Sequence, residues 1–381
     1  MSVADLTRNA VHVLPEGALE AKLALGRPLR VKLGIDPTGP DIHIGFAVVL
    51  RRLAAFQRQG HVAVLIVGDY TARIGDPSGR SKERQVLPDE VLDRNAELFA
   101  EQAYRILDRE RTEVRFNGEW LGGLDYAELV RLTRTGTVAQ LLERDDFGKR
   151  FRNTEPISVS ELLYPFAQGY DSVAVEADVE VGGTDQLYNL LMGRDVMTSY
   201  GQEPQSVITY ELLVGTDGVD KMSKSQGNYV GIDEAPEEQF GKVMSIPDSA
   251  LDQWWRLCLD VTAPEGSDPM ESKLALARGI VELYHGIEAA MAAERHFTRV
   301  VREGGSPEEV PEAELPPGDP VHLPALLADR FGLSTSAARR LIVQGGVKVD
   351  GEPVSELDLP RARLVGALLQ AGKRRFVRLS G

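Results

Sequence analysis

LRVKLGIDPTGPDIHIGF, residues 29–46, begins as a strand and ends at the mouth of a helix. Residues 29–35 are a short run rich in Leu, Val and Ile, which reads as a buried strand. Downstream, AVVLRRLAAFQRQ at 47–59 places Val48, Leu53 and Phe56 at roughly helical spacing, with Gly60 as a stop, and VAVLIVG at 62–68 is a second apolar strand. Strand, helix and strand in that order form a β-α-β unit, the building block of a parallel sheet. The turn after the first strand is where doubly wound sheets bind ligands. Here it carries Gly34, Asp36, Thr38, His43 and Gly45. Gly45 lets a nucleotide lie against the backbone, the following helix offers free N–H groups to phosphate, and Thr38 and His43 can donate hydrogen bonds to it.

The alternation continues. VAVEADVEVGG at 173–183 reads as a strand ending in a glycine pair, and VITYELL at 207–213 as another. The expected fold is α/β, with a Rossmann-like parallel sheet in a catalytic domain over 1–234. After VITYELL comes a glycine-bearing loop, GTDGVDKMSKSQGN, in which Lys221 and Lys224 are three residues apart. A cationic loop suits polyphosphate, because lysines neutralise charge that develops on a departing pyrophosphate. From 235 to 302 the pattern becomes nearly all-helical, from PEEQFGKVM to the amphipathic ESKLALARGIVELYHGIEAAMAAERHFTRVV, and a helical domain is expected there. Residues 303–320 hold five prolines and six acidic residues without Lys or Arg, the composition of an interdomain linker. Residues 321–381 read as a small α+β module, with helices at LPALLADRF and STSAARRLIVQ, a GG turn and a strand-turn segment VKVDGEPV.

Composition excludes several classes. At 381 residues and 43% apolar the chain can bury a substantial core, and no apolar stretch approaches the roughly 20 residues of a membrane-spanning helix. The N-terminal residues lack a secretory pattern, so a cytoplasmic protein without membrane partners is expected. The single cysteine, Cys258, rules out an internal disulfide framework or a multi-cysteine zinc cluster and reads as a small buried hydrophobe beside Trp254 and Trp255. Net charge is −15, but residues 321–381 carry ten Lys and Arg against five Asp and Glu, or +5, which leaves −20 on the other 320 residues. A basic module on an acidic body points to a nucleic-acid partner, with a solvated charged surface as the alternative.

HIGF at 43–46 and KMSKS at 221–225 resemble the two signatures of class I aminoacyl-tRNA synthetases, in the right order on the right kind of sheet. GIDPTGPDIHIG, IGDPSGRSKER, YPFAQGYDS and VGGTDQ resemble segments of bacterial tyrosyl-tRNA synthetases, and the similarity runs over nearly the whole chain. The resemblance implies that Asp76, Tyr164 and Gln168 hold the ammonium group of tyrosine and that Asp171 accepts a hydrogen bond from its phenol. Asp36, Gly34, Gly183, Asp185 and Gln186 would line the adenosine and the carboxylate side of the amino acid, with Gly45 and Phe46 also against the nucleotide. Thr38 and His43 would contact the γ-phosphate. Arg80 and Arg84 would belong to a basic loop that closes over pyrophosphate together with Lys221 and Lys224. ATP enters as a substrate with Mg²⁺, and neither zinc nor a tightly bound prosthetic group is implied.

The same resemblance makes 321–381 an RNA-binding domain in which Ser336, Arg339, Arg340, Lys348, Lys373, Arg374 and Arg375 meet tRNA backbone, while 235–302 approaches the anticodon stem of a tRNA bound across a homodimer. Synthetases of this kind are themselves the standing example of a site that hydrogen-bonds a substrate hydroxyl and so rejects the analogue lacking it without an editing domain, and none is visible here. The chain departs from the pattern twice. Phe46 stands where the family usually has His, and Lys32 stands where many relatives place a tyrosine hydroxyl beside the substrate phenol. Lys32 either sits near the phenol oxygen or points elsewhere. The competing readings are a tryptophanyl-tRNA synthetase, an RNA-binding paralogue without catalysis, invited by Phe46, and a tRNA-independent nucleotidyltransferase.

Overall fold

The computed structural model describes residues 3–39, 41–78, 88–266, 268–302, 310–372 and 375–381. They fall into two compact units, Met1–Ala235 with Lys242–Leu276, and Pro236–Gly241 with Ala277–Gly381, so the helical stretch 235–302 contributes to both. Among the described residues no helix is long and apolar enough to cross a membrane.

The first unit is built on a six-stranded sheet made of β1 (Ala10–Leu14), β2 (Arg30–Ile35), β3 (Val62–Val67), β4 (Thr112–Phe116), β5 (Val179–Gly183) and β6 (Ser206–Tyr210), in the spatial order β1-β6-β5-β2-β3-β4. All neighbours are parallel except β1, which runs antiparallel to β6 at the edge. The β-branched run of β3 buries five of its six residues, as a strand covered on both faces must. Successive strands lead from β2 to β3 on one side and from β5 to β6 on the other, so the order reverses between β2 and β5. These two strands pair only at Val31 with Val179 and at Lys32 with Glu180, whereas β2 and β3 stay in register through six pairs. Beyond Lys32 they part, and a crevice opens at their carboxyl ends.

Three helices flank that crevice: α1 (Ile44–Arg58), α2 (Val159–Ala174) and α3 (Leu187–Ser199). His43 is the N-cap of α1, one turn earlier than the pattern at 47–59 indicates. α2 starts on a capping box between Ser158 and Glu161 and keeps Pro165 within its first two turns. It packs closely on α3, since a Cβ at Gly169 would lie 2.9 Å from Val196 Cγ2. Two expectations need correction. The strand read at 173–183 is only Val179–Gly183, because α2 runs on to Ala174 and its last turn takes up the first apolar residues. The strand read at 207–213 ends at Tyr210. Cys258 is buried, as expected, on the helix Leu251–Leu259 with Trp254 and Trp255.

Gly286 at φ 86° breaks the long amphipathic stretch into Pro269–His285, which belongs to the second unit from Ala277 on, and Ile287–Phe297. The C-terminal module has a five-stranded sheet in which β7 (Glu312–Glu314), β9 (Val347–Val349), β10 (Glu352–Pro353), β12 (Leu368–Ala371) and β13 (Arg375–Ser380) lie in the order β10-β9-β12-β13-β7, and a two-stranded one formed by β8 (Val321–His322) and β11 (Asp358–Leu359). Helices α4 (Leu323–Phe331) and α5 (Thr335–Val343) bury Leu326, Leu327, Ala338 and Ile342 against Val347, Leu369 and Val377. Part of the stretch read as linker is drawn into this module. Glu312–Glu314 pairs in parallel with β13, and Leu315, the one long aliphatic residue beside the prolines there, is buried in its core. Ser336, Arg339 and Arg340 are exposed on α5, Lys348 is half-buried on β9 and Arg375 is exposed at the start of β13. Lys373 and Arg374 lie outside the described residues.

Candidate active site

A cavity of about 430 Å³ occupies the crevice. It is lined by Gly34, Asp36, Thr38, His43, Gly45 and Phe46 from β2 and the turn into α1, by Asp76 after β3, and by Tyr164, Gln168 and Asp171 from α2. Gly183, Asp185 and Gln186 after β5, and Lys221 and Lys224, complete the wall. The topology thus gathers residues spread over most of the first unit. Arg80 and Arg84 lie outside the described residues.

One end of the cavity is acidic and tightly networked. Tyr164 donates its hydroxyl to Asp36 Oδ2 at 3.0 Å, and Thr71 donates to Asp36 Oδ1 at 2.7 Å. Burial and the carboxylates nearby hold the Tyr164 hydroxyl well above the usual phenol range, so it stays protonated. Gly68 makes room for this pair, since a Cβ there would lie 2.2 Å from Asp36 Oδ1. Asp76 accepts from Gln186 Nε2 at 2.9 Å and from the Ser78 N–H at 2.9 Å. Asp171 is 2% exposed and accepts from Trp120 Nε1 at 2.8 Å and from Asn117 Nδ2 at 3.3 Å. Burial pushes its carboxyl up to about 6, while Lys32 and the two donors pull the other way.

The other end is cationic. Lys221 pairs with Asp185 at 2.8 Å. Lys224 reaches over the turn after β2, where a Cβ at Gly39 would lie 2.9 Å from its Cδ and Nζ. Burial lowers its ammonium to about 8, with Asp41 opposing. His43 is buried, and burial together with Lys224 and Lys221 depresses its imidazole to about 3. The Phe46 N–H donates to His43 Nδ1 at 3.4 Å, which leaves the ring neutral with its proton on Nε2. Phe46 stacks on that ring with centroids 4.3 Å apart and meets Phe99 edge-on at 6.0 Å. The aromatic side chain at this departure from the family pattern therefore braces His43.

Several residues in or behind the cavity wall carry no sequence motif. Asn117 sits where β4 ends, a place the switch-point rule marks, yet no motif surrounds it. Trp120 follows it by a single turn. Arg144 is 6% exposed and donates to Asn189 Oδ1 at 2.7 Å, and Asn189 donates to Gln186 Oε1 at 3.0 Å. Arg144 thereby steadies the Gln186–Asp76 contact from behind. Lys32 is fully buried and points to Glu180, away from solvent.

Residues 24–302 match the family described as tRNA synthetases class I (W and Y), and residues 323–358 match the S4 domain. The chain belongs to that family of class I tRNA synthetases, the tryptophan and tyrosine branch. Within the branch, proteins named tyrosine-tRNA ligase resemble it over nearly its whole length. It is 49% identical over 391 residues to that of Moorella thermoacetica, covering 98% of this chain and 94% of the relative. With that of Geobacter sulfurreducens it shares 49% over 402 residues, covering both chains in full. Among solved structures, a tyrosyl-tRNA synthetase from Archaeoglobus fulgidus complexed with L-tyrosine superposes with a TM-score of 0.63 at 20% identity, over 77% of this chain and 98% of that one, which establishes a shared fold.

Proposed function

We propose that this chain activates L-tyrosine with ATP, forming tyrosyl-adenylate and pyrophosphate, and then passes the tyrosyl group to the 3′ end of its tRNA. The observation that carries this reading is the polarity of one cavity, with Asp36, Asp76 and the buried Asp171 at one end and two lysines at the other. A zwitterionic amino acid with a phenol fits the first end, and a nucleoside triphosphate fits the second.

Asp171, held as an acceptor by Trp120 and Asn117, takes the phenolic proton donor of the substrate. Asp76, Gln168 and the oxygen of Tyr164 surround the ammonium group, because a buried cation needs compensating oxygens. Tyr164 can accept there because its own proton is committed to Asp36. ATP enters as its Mg²⁺ complex. Its adenosine lies along Gly34, Asp36, Gly45, Phe46 and Gly183, and its phosphates meet Thr38 and the Nε2–H of His43. The tyrosine carboxylate attacks the α-phosphorus in line, the bond to the bridging oxygen breaks, and pyrophosphate leaves. Lys224 and Lys221, with Arg80 and Arg84, neutralise that leaving charge, and Asp185 is freed for the ribose as Lys221 turns to phosphate. No covalent enzyme intermediate is needed, so the rate comes from positioning and charge.

The basic residues at 321–381, Ser336, Arg339, Arg340, Lys348, Lys373, Arg374 and Arg375, serve the tRNA backbone. The roles divide the chain into 1–234 for catalysis, 235–302 for the anticodon side, 303–320 as a connection and 321–381 for RNA. The working form is a cytoplasmic homodimer. ATP–pyrophosphate exchange with each of the 20 standard amino acids tests the activation step. Exchange with tyrosine and not with phenylalanine or tryptophan is expected. Exchange with tryptophan instead would overturn the substrate, and none from folded protein would overturn the activity.

A further inference from the structure

Lys32 and Glu180 face each other at the last position where β2 and β5 pair, on the floor of the crevice. Their side chains are 0% and 1% exposed, with Lys32 Nζ 2.8 Å from Glu180 Oε1. Lys32 also donates to the Gln168 carbonyl oxygen at 2.9 Å and to Ser172 Oγ at 2.8 Å, which uses all three of its N–H bonds. Glu180 Oε2 accepts from Ser172 Oγ at 3.1 Å and from Gln205 Nε2 at 2.9 Å, and Glu180 Oε1 accepts from Gln168 Nε2 at 3.4 Å.

Stability does not call for this arrangement. A buried ion pair carries a large desolvation cost, and apolar side chains of similar volume often serve as well. Its effect on the cavity is visible at Gln168. A carboxylate only accepts hydrogen bonds, so the Gln168 NH₂ must turn toward Glu180, and the amide oxygen is the end left for the cavity that Gln168 lines. Lys32 fixes the same residue a second time, through its backbone carbonyl, and pairs with Glu180 beneath it.

We propose that Lys32 and Glu180 are a positioning pair that sets the flip of the Gln168 amide, so that the cavity presents an oxygen and selects a substrate bearing an ammonium group. The inference rests on Gln168 being an ammonium ligand, as read above.

The test uses the full-length chain carrying Lys32→Met with Glu180→Gln, which removes both charges at nearly constant volume and replaces an obligate acceptor by an amide that tolerates either flip. Glu180→Gln alone is the second variant, since it keeps Lys32 and the shape of the strand. Exchange assays give KM for tyrosine and ATP, and inhibition by 3-(4-hydroxyphenyl)propionate, which lacks the amine, gives a Ki. In both variants the tyrosine KM is expected to rise about tenfold, with the ATP KM and the Ki of the amine-free analogue unchanged. A common shift of all three constants would mean a merely structural role and overturn the inference, as would an unchanged tyrosine KM. Wild-type protein inactive with tyrosine would instead remove the reading on which the inference rests.

Discussion

Asp171 and Lys224 line the same cavity and are held in opposite ways. Asp171 is locked by two donors from the segment after β4, and its neighbours Asp36 and Asp76 are each fixed by two further donors. Lys224 reaches from the loop after β6, with its ammonium over a glycine, and Lys221 is 40% exposed with one carboxylate partner. The acidic end is preorganised, as selecting an amino acid demands. The cationic end, on the proposed reading, meets charge as it moves from ATP to pyrophosphate. On the proposed reading, recognition and chemistry fall to opposite ends, and substitutions at the two ends should damage different constants.

Lys224→Ala should have the largest effect, a fall of about a hundredfold in kcat for exchange with little change in the tyrosine KM, read by steady-state kinetics. Asp171→Asn comes next. Losing a charge-assisted hydrogen bond, worth about 1.5–3 kcal/mol, should raise the tyrosine KM between about tenfold and a hundredfold and leave the ATP KM alone. The two ends should also titrate separately. Asp171 must be ionised to accept the phenolic hydrogen bond, and its carboxyl lies at about 6 under Lys32, Glu180, Trp120 and Asn117, so kcat/KM for tyrosine should fall as pH drops through 6. Lys224 must be protonated and lies at about 8, so activity should fall again as pH rises through 8. His43, depressed to about 3, stays neutral throughout and adds no limb. A bell between these values is expected, and Asp171→Asn should remove only its acid side. The smallest effects separate rigid from adaptable ground. Gly68→Ala forces a Cβ against Asp36 and Thr71 and should destabilise the fold by about 1–3 kcal/mol in urea unfolding. Gly39→Ala meets only the far end of Lys224, which can swing aside, and should cost a few-fold in kcat with unchanged stability.

The same contrast governs what could be read from the sequence. His43, Lys221 and Lys224 lie in short motifs whose spacing carries their chemistry, and β2, α1 and β3 follow from periodicity, so the crevice was legible from one stretch. α2 was not read from the sequence, since Pro165 and Gly169 argue locally against a helix that the Ser158–Glu161 capping box and tertiary packing on α3 support. Asn117, Trp120 and Arg144 act through partners far along the chain and leave no local pattern. Lys32 is the sharpest case. The sequence left it either near the phenol oxygen or pointing elsewhere, and only the pairing of β2 with β5 brings Glu180 opposite it.

The division of labour can be tested by measuring two quantities on Asp171→Asn and Lys224→Ala side by side: the equilibrium dissociation constant for tyrosine, and the single-turnover rate of tyrosyl-adenylate formation at saturating tyrosine and ATP. A crossed result is expected, in which Asp171→Asn weakens tyrosine binding and largely keeps the rate, while Lys224→Ala keeps tyrosine binding and loses the rate. If both variants change the same quantity, the two ends of the cavity do not divide the work.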